Sequence, residues 1–187
     1  MPSLVACLLF LLASPATSYA DWRVDAFSKA QEVTREFEKK EADLMIKLSP
    51  ETRAFFDLWL PVQDARRKIE GLAFRWHLLH DPVSISWENP FLWTQGIQSS
   101  EDEKRLAAGD FAFSAAYKDY STKRARLLPH KELFKLRNTA YQKDRKVFQK
   151  LETDLHAQLD ILQKQVDKNK KSDHALEPTA GRRDAQI

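Results

Sequence analysis

The sequence predicts an all-α fold: an up-and-down bundle of about four helices with one long C-terminal helix, one long aromatic-rich loop and a disordered tail. Three observations carry that expectation. Apolar residues recur at spacings of three, four and seven through most of the chain. Only four of the 187 residues are Gly, too few for a turn-rich β protein. The breaks between periodic stretches also carry helix start and stop chemistry, as at Ser49-Pro50-Glu51. A chain that is 43% hydrophobic and 30% charged suits one soluble domain with a real core, placed over residues 21–171.

Residues 4–13 are a short unbroken apolar run, followed by Ser14, Pro15 and the small-residue pattern Ser18-Tyr19-Ala20. This is the layout of a secretory signal peptide over residues 1–20, cleaved near Ala20, and it predicts a secreted or periplasmic protein. The run is about half the length that spanning a bilayer requires. Leu4-Val5-Ala6-Cys7 resembles the lipobox of bacterial lipoproteins, whose lipidated Cys becomes the mature N-terminus. In that family the Cys follows the apolar run. Here residues 8–12 continue it, so lipid anchoring at Cys7 is not expected. Cys7 is the sole Cys, and a chain starting near Asp21 would hold no disulfide and would depend on its core.

The first helix is expected over residues 22–47, where Phe27, Ala30, Val33, Phe37, Leu44 and Leu48 keep helical spacing. At Ser49-Pro50-Glu51 a hydroxyl N-cap, a Pro at the first helical position and an acid in the first turn restart the helix. The second helix carries Phe55, Phe56, Leu58, Trp59 and Leu60. Pro61 should kink or break it, because Pro lacks the N–H and its ring meets the preceding turn. The pattern resumes through Ile69, Leu72, Phe74, Trp76 and Leu79 and stops at Asp81-Pro82. This most apolar element is the predicted centre of the core.

Residues 81–99 show no helical period. Val83, Ile85 and Trp87 alternate with Ser84 and Ser86 as in a short extended segment, and Asn89-Pro90 and Gln95-Gly96 are turn signals. A connection this long, carrying Trp87, Phe91, Leu92 and Trp93, is expected to fold back over the bundle. Ser100-Glu101-Asp102-Glu103 is a capping box that opens a third helix. Gly109-Asp110 would interrupt its first turns, and Leu127-Leu128-Pro129 would end it.

The last helix is expected to run unbroken over residues 133–166. Tyr141, Phe148, Leu155 and Leu162 recur every seven residues, Val147, Leu151, Leu159 and Val166 fill in beside them, and no Gly or Pro intervenes. With its flanks it would measure about 40 residues, or roughly 60 Å. Its apolar pattern is short for an independent coiled coil, so packing within the bundle is the preferred reading. Beyond Val166 the composition turns polar, and residues 172–187 read as a disordered tail.

Charge is the most informative functional feature. Residues 118–150 hold eleven Lys and Arg against three acids, a net +8, while residues 21–110 carry −4 and residues 151–187 carry −1. The chain is polarised, which its overall +3 conceals. The candidate binding residues are Lys123, Arg124, Arg126, Lys131, Lys135, Arg137, Lys143, Arg145 and Lys146, with Trp87, Phe91 and Trp93 of the loop alongside. The partners such a surface suits are an anionic membrane surface, a polyanionic glycan or an acidic protein. Nucleic acid is a poor fit to an exported compartment. The competing reading is that the basic helices pack beside acidic ones within the bundle, with Asp25, Glu32, Glu36 and Glu38 as partners.

No catalytic residue, metal site or cofactor is predicted. His77 and Asp81 stand one helical turn apart, as do Glu152, His156 and Asp160. A metal-dependent helical-bundle enzyme using His77, His80, Glu152 and His156 is therefore one alternative, but the Glu-x-x-His tetrapeptide of dinuclear carboxylate bundles is missing. Neither a Gly-x-Ser-x-Gly elbow nor a Gly-rich phosphate loop occurs. The function expected is that of an exported, non-enzymatic binding protein engaging an anionic partner. A structural subunit that pairs through the long helix, as a homo-oligomer, is the other alternative.

Overall fold

A computed structural model of the chain describes residues 22–80, 82, 85–88, 109 and 111–176, with side chains as far as residue 172. Among these residues the fold is all helical and bundle-like. Its helices are α1 (Trp22–Leu48), α2 (Arg53–His80), α3 (Phe111–Leu127), α4 (Lys131–Lys143) and α5 (Arg145–Leu176). A 3-10 turn, Pro50–Thr52, joins α1 to α2. No described helix is long and apolar enough to cross a membrane.

The α1–α2 turn is local chemistry. Pro50 occupies the first position, where its missing N–H costs nothing. The Ser49 hydroxyl makes no cap bond; its carbonyl instead accepts from the Thr52 backbone N–H at 2.9 Å and the Thr52 hydroxyl at 2.7 Å. Both residues are buried, so the turn is part of the core. It sends α2 back along α1, and Phe27 near the start of α1 stacks on Phe74 of α2 with ring centroids 4.0 Å apart.

Three apolar clusters hold the helices. At one end, Ala26, Phe27 and Ala30 of α1 meet Phe74 of α2 and Leu155, Leu159 and Val166 of α5. Ile69 and Ala73 of α2 receive Phe113 and Ala116 of α3. At the other end, Met45, Phe55, Phe56, Val62, Leu127, Ala140 and Phe148 bring all five helices together beneath the α1–α2 turn. Each large side chain buried in this way stabilises the fold by about 1.5–3 kcal/mol relative to exposure.

Two expectations about where helices break need correction. Residues 133–166 are not one helix: the run divides at Asp144, whose φ of −113° and ψ of 27° leave the helical region. The Asp144 N–H still closes α4 on Ala140 O, while its carbonyl accepts from Val147 and Phe148 to start α5. Asp is a poor helix-interior residue and a good start residue, and the bend lets α4 pack on the α1–α2 turn while α5 follows α1. Conversely, of the kink or break expected at Pro61 the break does not occur, because α2 runs through it. Pro61 and Asp57 one turn earlier are both exposed, so water can satisfy the carbonyl that Pro leaves without a donor.

The loop folds back as expected where it is described. Ile85 and Trp87 pack on the first cluster, in a bend and turn rather than an extended segment. α5 continues to Leu176, past the point at 172 where composition places the start of the tail. The leader at 1–20, the capping box at 100–103, Phe91, Leu92, Trp93 and residues 177–187 lie outside the described residues.

Candidate functional site

The second of the two end clusters determines where the basic residues stand. The C-terminal part of α3, all of α4 and the first turns of α5 converge on it, because Leu127, Ala140 and Phe148 are all buried there. Their outer faces carry the charges. Lys118, Arg124, Arg126, Lys131, Lys135, Lys143, Arg145, Lys146 and Lys150 are exposed. Lys123 is half-buried and donates to Asp119 at 2.6 Å on its own helix. Glu132 is the one acid on the outer face of α4. Its own backbone N–H and the neighbouring His130, 3.3 Å away, hold its carboxyl below the ordinary value.

Arg137 differs from the rest. It points inward and pairs with Glu41 of α1, a carboxylate only 7% exposed, while its guanidinium lies 5.3 Å from the Tyr141 ring centroid. Tyr141 stacks on Phe148 and donates its hydroxyl to Glu152 of α5 at 2.6 Å. That hydrogen bond, then burial and the Glu152 charge, push the phenol above its usual value. The sequence of contacts from Glu41 through Arg137 and Tyr141 to Glu152 fixes α4 between α1 and α5.

Reading the sequence did not single out Glu41. The signal was there: Glu41 falls midway between Phe37 and Met45 on the apolar stripe of α1, and a carboxylate in such a position needs a partner. The acids that were named behave otherwise. Glu38 pairs with Arg67 of α2, Glu36 lies 4.0 Å from Lys40 on α1, and Asp25 and Glu32 are exposed. Internal pairing therefore accounts for Arg137 and Lys123, and among the described residues it leaves the other basic side chains of the segment without an ion pair.

A separate polar network crosses from α1 to α2. Arg67 binds both Glu38 and Asp64, Arg35 lies 3.3 Å from Asp64, and Arg66 donates to Glu70 at 2.7 Å. Burial raises the Glu38 carboxyl despite Arg67, and raises Glu70 despite Arg66. At Asp64 burial pushes the same way, but the hydrogen bond from Arg67 and the charges of Arg67, Arg35 and Lys39 outweigh it and lower the value. The charges match in sign and number, as in a structural tie between helices.

The other residues named from sequence are placed apart. His77 and His80 lie against Trp76 at the end of α2, with ring centroids 5.1 and 4.9 Å away. Glu152 is engaged by Tyr141, and His156 is on the exposed face of α5. Among the described residues no three His, Cys, Asp or Glu side chains are grouped to hold a metal ion. Trp87 is half-buried, 5.3 Å from the Trp22 ring and 5.8 Å from Phe74, and its carbonyl accepts from Gln163 at 2.7 Å. It anchors the loop. One groove of about 330 Å³ runs between α1 and α5, floored by Val33, Phe37, Leu151 and Leu155 and edged by Glu36, Lys40, Asp154 and Gln158.

Comparison of the chain with protein-family models, with curated proteins and with solved structures finds no match.

Proposed function

We propose that the chain is an exported, non-enzymatic binding protein that engages an anionic partner through the basic end of its bundle. The observation that carries the reading is the exposure of nine of the eleven Lys and Arg side chains of residues 118–150. Neutralising them within the bundle was the competing account, and Arg137 is the one whose ion pair reaches another segment among the described residues. A surplus of like charge on one segment is self-repulsive, a cost that an anionic partner would relieve.

Trp87 is engaged with Trp22 and Phe74 in anchoring its loop, and Phe91 and Trp93 lie outside the described residues. The basic face is therefore the working surface of this reading. Its test is a titration of the purified chain against heparin, polyglutamate and anionic vesicles over a salt series. Binding to at least one of them should weaken steeply as salt rises, because exposed charges are screened beyond about 8–10 Å at physiological ionic strength. No salt-sensitive binding to any of the three would sink the reading.

A further inference from the structure

Among the exposed cations stand three exposed aliphatic side chains. Leu128 in the α3–α4 turn is 51% exposed, Leu136 on α4 is 41% exposed, and Val147 in the first turns of α5 is 45% exposed. Single exposed aliphatics are ordinary on a protein surface. These three fall within twenty residues of one another, at the end of the bundle that also carries the charge. On α4, Leu136 lies two helical turns before Lys143, one turn after Glu132 and next in the chain to the exposed Lys135, so it stands among charged side chains.

We infer that this end of the molecule docks on an anionic phospholipid surface, with Leu128, Leu136 and Val147 entering the headgroup layer between lysines. The inference rests on the binding function proposed above and names its partner. A soluble polyanion such as a glycan would meet the cations but would gain nothing from the aliphatics. A lipid surface uses both, since burial of apolar groups at the acyl boundary and attraction to anionic headgroups act together. The geometry agrees. The described groove lies elsewhere, between α1 and α5, and the basic end is formed by the outer faces of helices meeting at two bends, at residues 128–130 and at Asp144. Such a surface suits a broad, deformable partner better than a small molecule that needs enclosure. Lys131, Lys135 and Lys143 stay at headgroup level, as long cationic side chains do at a membrane interface.

The experiment is sedimentation of the purified chain with phosphatidylcholine vesicles, with and without phosphatidylglycerol, beside a heparin titration in the same buffers. The wild-type chain should bind only the vesicles that carry phosphatidylglycerol. K131E/K135E/K143E should lose that binding, at about fivefold or more for each cation removed. L128S/L136S/V147S should lose at least tenfold on vesicles while binding heparin, where heparin binds at all, as the wild type does. Far-UV circular dichroism and a urea melt on both variants separate lost binding from lost folding, and all six positions are exposed. Salt-sensitive heparin or polyglutamate binding with none to the vesicles would overturn the lipid assignment and leave the proposed function standing. Vesicle binding unchanged in the serine variant would overturn the role of the aliphatics. Binding to no anionic partner would remove both.

Discussion

Arg137 of α4 and Glu41 of α1, 96 residues apart in the chain, form the ion pair that ties the basic segment into the bundle. Glu41 lies on the apolar stripe of its helix and is buried, whereas Arg137 keeps about a third of its side chain in water. Breaking the pair by Arg137→Met strands a carboxylate in the core. The expected loss is about 2–3 kcal/mol, somewhat under the 3–5 kcal/mol of a fully buried pair. Glu41→Gln on the same background should restore most of it. Urea unfolding of both single variants and the double variant measures the coupling; additive losses would show that the two residues act independently.

Pro61 offers the opposite sign. It sits inside α2, exposed, and deprives one turn of its hydrogen bond. Pro61→Ala should stabilise the chain by about 1–2 kcal/mol, the helix-interior cost of Pro less the entropy it removes from the unfolded chain. A fall in the urea midpoint would mean that the Pro conformation itself is required.

Acid titration should follow the α1–α2 network. Glu38 and Glu70 take up protons more readily in the folded chain than in the unfolded one, where their carboxyls titrate near 4.5. Above that pH the folded state holds the extra proton, so stability falls as pH rises from about 4.5 through the raised values and then levels. Asp64 works in reverse: its contribution is complete above 3.8 and is lost as pH falls through its lowered value. Glu70→Gln should flatten the decline toward neutral pH, because the partner Arg66 is half exposed and keeps its hydration. Unfolding free energies at pH 4.5 and at neutral pH test this, and a larger destabilisation at neutral pH would contradict it.

Trp87 gives a fourth test. Its ring bridges Trp22 of α1 and Phe74 of α2. Trp87→Ala should cost about 2–3 kcal/mol, given its half-burial, and should change the near-ultraviolet circular dichroism of the remaining tryptophans. Unchanged stability would mean that Trp87 does not anchor its loop and is available for binding.

What the sequence revealed follows physical scale. Helices were legible because burial of one face imposes a period on Phe27, Ala30, Val33 and Phe37 that needs no knowledge of the partner. The α1–α2 turn was legible because Pro50 acts on its own backbone. The break at Asp144 was not, because no Gly or Pro marks it: both halves are good helices, and only competing tertiary contacts on either side of Asp144 bend the chain. Pro61 does not end its helix for the mirror reason, since a strong local penalty is overridden by the packing of Val62 and Ala65 on the same helix. At the basic end, the charge was legible and its exposure was not. Whether Arg137 or Lys135 turns inward depends on which residue of α1 faces α4, and no local pattern records that.

The pairing of α1 with α5 also governs how the chain is made. Ala26, Phe27 and Ala30 are finished by Leu155, Leu159 and Val166, which are synthesised more than a hundred residues later. At about 5–20 residues per second, the apolar stripe of α1 waits on the order of ten seconds for its cover. During that interval α1, α2 and α3 can form a partial bundle that still presents Phe27 and its neighbours to whatever meets them. That apolar surface exists only until α5 has been made and has docked on α1.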